Sequence, residues 1–445
     1  MDTTSDKNQK IKESLKKTKE KRKNQVVKVY QLKISYSNLN KEQKQWLERV
    51  FLEAKWLYNY CIADIPNRLN SKTEKLKQVE IITPQGIETR EMTCLSSQMK
   101  QGILDRIKKN LSDLSKAKQK GIKVGKLKFK SDYRNIPLKQ NNITFKVLKD
   151  RNRIKLQGLK RAVRVLGLHQ LPENCDIAKA ELIKKPDGYY IYLTCYIDKT
   201  QVIKQEKINK PIGIDFGIKH QLTLSNGIKI SYSVGETKRL KKLQKKLSRQ
   251  REGSRNYQKT KQKIQKEHQK INNKRKDIQN KVLSLLKKYE YVIIQEEQIK
   301  NWQRGLFGKQ IQKTGIGGII SMLRQNIETL ILVDRFEATT KICSRCGSRK
   351  EEIRLSERIY KCEVCGLEID RDLNSAINIL KMGLEKVEGT TIKNVGLDRP
   401  ELTPVERDIC EAKWRLKEEQ ATAEILGRNP YICVSYTSVK QEAPN

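Results

Sequence analysis

The feature that most restricts this fold is a pair of cysteine units, Cys343-Ser-Arg-Cys346 and Cys362-Glu-Val-Cys365, each followed by glycine (Gly347, Gly366). A C-x2-C unit places two thiolates on one tight turn, and the following glycine accepts the backbone angles that close it. Fifteen residues separate the units, a spacing at which four thiolates close a tetrahedral Zn²⁺ site with no open position. The spacing predicts a structural zinc ribbon over 343–366, with Cys343, Cys346, Cys362 and Cys365 as ligands and Arg345, Arg349 and Lys350 facing a polyanion. A redox pair needs a strand–motif–helix setting that these units lack. The other six cysteines stand alone and read as reduced, mostly buried thiols.

Charge restricts the partners as strongly. The 445 residues hold 94 Lys+Arg against 51 Asp+Glu, a formal net charge of +43, with 36% apolar and 33% charged residues. The length suggests about three folding units. An excess this large along the whole chain points to a polyanion, and its extent favours nucleic acid over a lipid surface. No apolar run approaches the ~18 residues of a membrane span, and the N-terminal residues lack the apolar core of a signal peptide. The expectation is a cytoplasmic, nucleoid-associated protein with no membrane partner; a monomer is favoured, with dimerisation left open.

Residues 1–26 are basic and without apolar period, expected as a disordered arm or a helix that orders on a polyanion. Val26–Tyr36 alternates as a half-buried strand. Leu39 to about Gln119 reads helical, with Trp46, Leu47, Val50, Phe51, Ala54 and Leu57 at three- and four-residue steps. Strand character returns at 142–147, 153–157, 178–183 and 189–196, the last two flanking the turn Pro186-Asp187-Gly188. The simplest assembly is a small β-barrel or sheet (27–40 and 120–202) carrying a helical insertion (41–119). In KVGKLKFKSDYR (Lys123–Arg134), Lys126, Lys128 and Lys130 interleave with aromatics; the segment is either a solvated loop or a nucleic-acid contact.

From 203 the pattern is a strand at Pro211–Gly217, a hairpin around Ser225-Asn226-Gly227, then strands at 291–295 and 329–333 with a helix at 316–328 between them. That order suggests an α/β domain with a mixed sheet. Thr237–Lys288 carries 20 Lys/Arg and three acids on a helical hairpin broken at Glu252-Gly253-Ser254, a face that repels itself unless phosphates neutralise it. This domain covers 203–342 and 367–383 around the ribbon, and a polar tail follows over 384–445.

Three acidic positions stand out. Asp215 lies inside an apolar strand, where a lone carboxylate is costly unless it is paired or binds metal. Glu296-Glu297 follow the apolar YVIIQ strand, and Asp370-Arg371-Asp372 opens a helix, with Asp370 suited to its N-cap. Asp–Glu–Asp on a mixed sheet is the arrangement that holds two Mg²⁺ about 4 Å apart for attack of water on a phosphodiester.

GIDFG with its hairpin, QEEQIKNWQRG, CSRCG…CEVCG and DRDLNSAINI resemble the transposon-encoded TnpB (OrfB) family of RNA-guided nucleases. The resemblance covers most of 27–383, with AKWLYN and KLKFKS as looser features. It implies an RNase H-like (RuvC-like) mixed sheet with an inserted zinc ribbon, plus an N-terminal β-barrel whose helical insertion grips guide RNA and target duplex. It also implies Mg²⁺-dependent cleavage of double-stranded target DNA, directed by a guide RNA derived from the transposon end. Miniature type V CRISPR effectors share this architecture, and a nuclease of that kind is the runner-up reading.

Position by position, Asp215 matches the first catalytic aspartate of that family and Asp372 the last. The middle position departs: Gln295 stands where the family's glutamate belongs, and glutamine brings no negative charge to a hard cation. Strand alternation puts Glu297 on the face of Gln295 and Glu296 on the other, so Glu297 is expected as the third catalytic acid and Mg²⁺ ligand. The competing readings are a nuclease-dead RNA-guided repressor, supported by Gln295, and a transposase that joins DNA by strand transfer. The latter has no use for a zinc ribbon between its second and third acids.

Overall fold

The computed structural model describes residues 4–83, 85–201, 208, 210–305, 308–354, 356–391, 422–426 and 432–436. They form two compact units, Met1–Ile203 and Lys204–Asn445. No helix among the described residues is long and apolar enough to cross a membrane.

The first unit opens with α1 (Thr4–Lys23), a helix where the sequence reading expected a disordered arm or a helix that orders on a polyanion. Straight-chain Lys, Glu and Gln are good helix formers, and the last turn is anchored. Lys21 and Arg22 pair with Asp176 at 2.7 and 3.1 Å, and the Arg22 guanidinium lies 3.6 Å from the Tyr196 ring centroid. β1 (Gln25–Ile34) then leads to α2 (Lys41–Ala63), which Asn40 and Gln43 start with a reciprocal capping box. A single turn, α3 (Ile65–Arg68), follows.

The stretch 41–119 is not helical throughout. β2 (Gln78–Thr83) and β3 (Gly86–Glu91) form a hairpin before α4 (Ser97–Gln119). Alternating Val79 and Ile81, and Gly86 at φ +125°, favour strands over the helix period. The remaining strands are β4 (Asn135–Leu138), β5 (Phe145–Leu148), β6 (Arg153–Leu156), β7 (Val163–Leu166), β8 (Asp176–Lys185) and β9 (Gly188–Asp198). They join β1 in an antiparallel sheet of order β4-β8-β9-β1-β7-β6-β5, barrel-like but open between its edge strands. One hydrophobic core, including Leu32, Phe51, Met99, Ile103 and Leu193, runs through both sheet and helices.

The second unit is built on β10 (Ile212–Phe216), β11 (Leu222–Leu224) and β12 (Ile228–Tyr232), an antiparallel meander whose last turn uses Gly227 at φ +88°. α5 (Lys238–Ser248) and α6 (Arg255–Leu286) form the basic hairpin, turning at Gly253 with Ser254 capping α6. β13 (Val292–Gln295), α7 (Ile299–Arg304), α8 (Gly308–Thr314), α9 (Ile316–Asn326) and β14 (Leu330–Val333) come next. β13 pairs parallel with β10, and β14 parallel with β13. The ribbon strands β15 (Ile359–Lys361) and β16 (Glu368–Asp370) precede α10 (Arg371–Thr391).

The region read as a polar tail contributes β17 (Ile432–Tyr436), which pairs with β12 and completes the order β14-β13-β10-β11-β12-β17. ICVSY alternates too briefly to stand out within a polar stretch. The rest of 392–445, apart from a helical turn at 422–426, lies outside the described residues. Alternate residues of the central strands face two layers. Ile212 and Ile214 pack in the core with Ile278, Val282 and Ile316, while Ile293 packs with Val333 and Ile379 of α10 on the other side.

Candidate active site

Helix α10 lies so close over β10 that a Cβ on Gly213 would stand 2.3 Å from the Ala376 carbonyl oxygen, an approach only glycine admits. Asp215, two residues on and facing the same way, receives a hydrogen bond from Ser375 of α10, Oγ to Oδ1 at 3.2 Å. Asp372 stands in the first turn of that helix. Asp370 caps it, accepting from the N–H groups of Asp372 and Leu373 at 3.1 Å each and pairing with buried Lys229 at 2.7 Å. Asp215, Asp372 and Glu297 thus line one cavity of about 920 Å³.

The electrostatics carry the same proximity. Burial first, then the charges of Asp372 and Glu297, push the Asp215 carboxyl up to about 8 against the opposing Ser375 hydrogen bond. Burial pushes Glu297 up to about 7. Carboxyls crowded in this way hold protons near neutral pH unless a cation balances them. Glu296 is exposed, turned away from the cavity and paired with Arg324 at 3.2 Å.

Gln295 is buried beside the acids. Its Nε2 donates to the carbonyls of Asp334 (3.1 Å) and Glu337 (2.9 Å), and its Oε1 accepts from Thr339 Oγ1 at 3.2 Å. Thr339 Oγ1 lies 3.0 Å from Ser375 Oγ, so a chain of hydrogen-bonding groups runs from Gln295 to Asp215. Sequence reasoning missed Thr339 and Ser375. Ser375 had a faint signal, one helical turn beyond Asp372 in DLNS, and Thr339 had none.

Cys343, Cys346, Cys362 and Cys365 come together with their sulfurs all within 4.8 Å of one another. The Cys343–Cys365 and Cys346–Cys362 pairs are each 3.6 Å apart, close to the roughly 3.8 Å edge of a tetrahedron with Zn–S bonds of about 2.3 Å. Both knuckles fold alike: Gly347 and Gly366 have φ of +77° and +68°, and each donates to the carbonyl of the first cysteine of its unit at 3.0 Å. Ser348, unnoticed in the sequence, sits 3.1 Å from the sulfurs of both Cys346 and Cys362. Among the described residues this is the one group of three or more such side chains gathered tightly enough to share an ion. The three carboxylates line one cavity and are spaced more widely than the four sulfurs.

Residues 194–302 match the OrfB_IS605 family model, described as "Probable transposase", and residues 319–379 match the "Cas12f1-like, TNB domain" model. Over these segments the chain is similar to TnpB (OrfB) proteins. It is 29% identical over 224 residues to a "Putative RNA-guided DNA endonuclease" of Streptomyces pristinaespiralis, covering 48% of this chain and 55% of that protein. It is 30% identical over 197 residues to "Putative RNA-guided DNA endonuclease InsQ" of Escherichia coli K12, covering 39% and 48%. A 47-residue stretch is 53% identical to "TnpB-like protein L79" of Acanthamoeba polyphaga mimivirus, 11% of this chain and 9% of that one. The chain thus spans about half the length of the first two.

The two matched segments contain the site: Asp215 and Glu297 lie in the first, the four cysteines and Asp372 in the second. The residues expected to touch nucleic acid are placed variously. Lys126, Lys128 and Arg345 are exposed. Lys130 is half-buried, its ammonium 4.1 and 4.7 Å from the ring centroids of Tyr58 and Tyr133, and burial lowers its pKa. That lysine anchors its loop against the core.

Proposed function

We propose that this protein is a divalent-metal-dependent DNA endonuclease directed by a bound RNA, with Asp215, Glu297 and Asp372 as its catalytic carboxylates. The observation that carries this reading is one cavity lined by three acids from separate elements: strand β10, the exit of its parallel neighbour β13, and the start of the helix that follows the ribbon. The meander with two further strands parallel to β10 supports an RNase H-like (RuvC-like) assignment.

The donors are hard oxygens, which suit Mg²⁺ better than a thiophilic ion, and desolvated carboxylates of one sign fit a site meant for cations. When bound, such ions activate water and stabilise the leaving oxygen. The chain's own residues do the rest. Ser375 fixes the rotamer of Asp215, and Arg335 and Arg358, on the cavity wall, attract and orient the phosphodiester. The ribbon sulfurs hold zinc and fix the chain ahead of Asp372. The names of the two bacterial relatives and the basic α5–α6 hairpin support a guide RNA and a DNA target; in this proposal the target is duplex and the guide is transcribed from a transposon end.

The test begins by sequencing the RNA that co-purifies and supplying duplex DNA that matches it. Wild type cuts with Mg²⁺. Asp215→Ala binds RNA within a few-fold, because one acid in a chain of charge +43 barely changes phosphate attraction, and its cutting falls to background. Mg²⁺ raises the melting temperature of wild type and leaves that of Asp215→Ala unmoved. Guided binding with an uncut target under every divalent cation tried would replace this reading with the repressor.

A further inference from the structure

The turn after β14 presents an aromatic ring to solvent beside the acidic cavity. Phe336 is 78% exposed, although burying such a ring is worth about 1.5–3 kcal/mol. It cannot fold inward because the turn is fastened at both ends. Its N–H donates to Asp334 Oδ1 at 2.8 Å, Glu337 N–H reaches the Asp334 carbonyl at 3.3 Å, and Gln295 clamps the carbonyls of Asp334 and Glu337 from beneath. The neighbouring Arg335 lines the same cavity as Asp215, Glu297 and Asp372, and its guanidinium stands 4.3 Å from the Phe336 ring centroid.

A rigid, exposed ring next to a cation on a cavity of phosphodiester chemistry has the composition of a nucleotide subsite. An unpaired base stacks on an aromatic face for about 1–3 kcal/mol with little sequence preference, and a guanidinium pairs with the adjoining phosphate. Bases inside a duplex have both faces occupied by their neighbours, so they cannot use such a ring.

We infer that Phe336 and Arg335 form a stacking subsite for one unpaired nucleotide of the strand that enters the carboxylate cavity once pairing with the guide has opened the duplex. The inference rests on the nuclease reading for its biological meaning, and its binding test is independent of it. Phe336→Trp in the full chain puts a reporter at the subsite, with wild type as the blank for the native tryptophans. Oligothymidylate quenches that added emission saturably. An abasic strand of the same length and a blunt duplex leave it unchanged.

In cleavage of single strands, Phe336→Ala raises KM by about 5- to 150-fold, the factor equivalent to one stacked base. It leaves kcat within a few-fold, and Phe336→Trp restores KM. Unquenched Trp emission at saturating oligothymidylate, with cleavage still dependent on Asp215, overturns the subsite and spares the nuclease reading. Quenching without Asp215-dependent cleavage does the reverse.

Discussion

Gln295 commits both amide hydrogens and its oxygen to protein, tying the Asp334–Glu337 turn to the chain of groups that ends on Asp215. A carboxylate there would face two carbonyl oxygens with no proton to offer. Gln295→Glu is therefore expected to lower stability by about 1–3 kcal/mol, through the loss of two buried hydrogen bonds, and to weaken cleavage. Thermal melting and a cleavage assay check both. The middle acid is tested separately: Glu297→Gln reduces cleavage to background, while Glu296→Gln, which loses one exposed pair with Arg324, changes it by less than about threefold. Glu53 offers a purely structural counterpart. It is fully buried, accepts from the N–H groups of Thr93, Cys94 and Leu95, and pairs with Arg49 at 2.9 Å. Glu53→Ala is expected to destabilise the first unit by about 3–5 kcal/mol in denaturant unfolding. Glu297 shares the cavity with Gln295 as alternation suggested, although β13 itself ends at Gln295. The contacts of Ser375 and Thr339 were not legible, because a hydroxyl's partner is set by tertiary approach, and Lys130 read as a phosphate contact because aromatic neighbours suit stacking and anchoring equally.

The same contrast holds for elements. The hairpin at Gly227 and the break at Gly253 announced themselves, since both turns need a left-handed backbone that few residues supply. Helix α1 and strand β17 did not: the first is polar throughout and the second is five residues within a polar stretch, and each owes its place to partners far along the chain, Asp176 and Tyr196 for α1 and β12 for β17. The α1 anchor has a pH signature. A hydrogen bond from Lys21, with help from Gln25 and Arg22, holds the Asp176 carboxyl below its ordinary range. A depressed folded pKa contributes stability that is present above the unfolded value near 3.9 and lost as pH falls through the lower folded one. Because the pair is partly exposed, it is worth about 0.2–1 kcal/mol. Asp176→Asn should therefore speed hydrogen exchange in α1 a few-fold at pH 7, and wild type should approach that rate only in acid.

At the scale of the molecule, charge and metal set the conditions for activity. Twenty basic residues against three acids in Thr237–Lys288 imply that RNA affinity falls steeply with salt, by about 10³-fold or more between 50 and 200 mM if six or more phosphates are engaged. A filter-binding series gives the slope. Stripping the ribbon metal with a chelator should loosen 343–366 and lower cleavage with it, since β16 runs directly into the helix that carries Asp372. Re-addition of Zn²⁺ should restore both, as read by circular dichroism and turnover. The outermost strand bears on how the protein is made. On the ribosome, β12 emerges roughly two hundred residues before Ile432–Tyr436 can cover it. A nascent chain stalled in that interval would carry a raw sheet edge open to pairing with its neighbours, so premature stop codons late in the reading frame should yield insoluble protein.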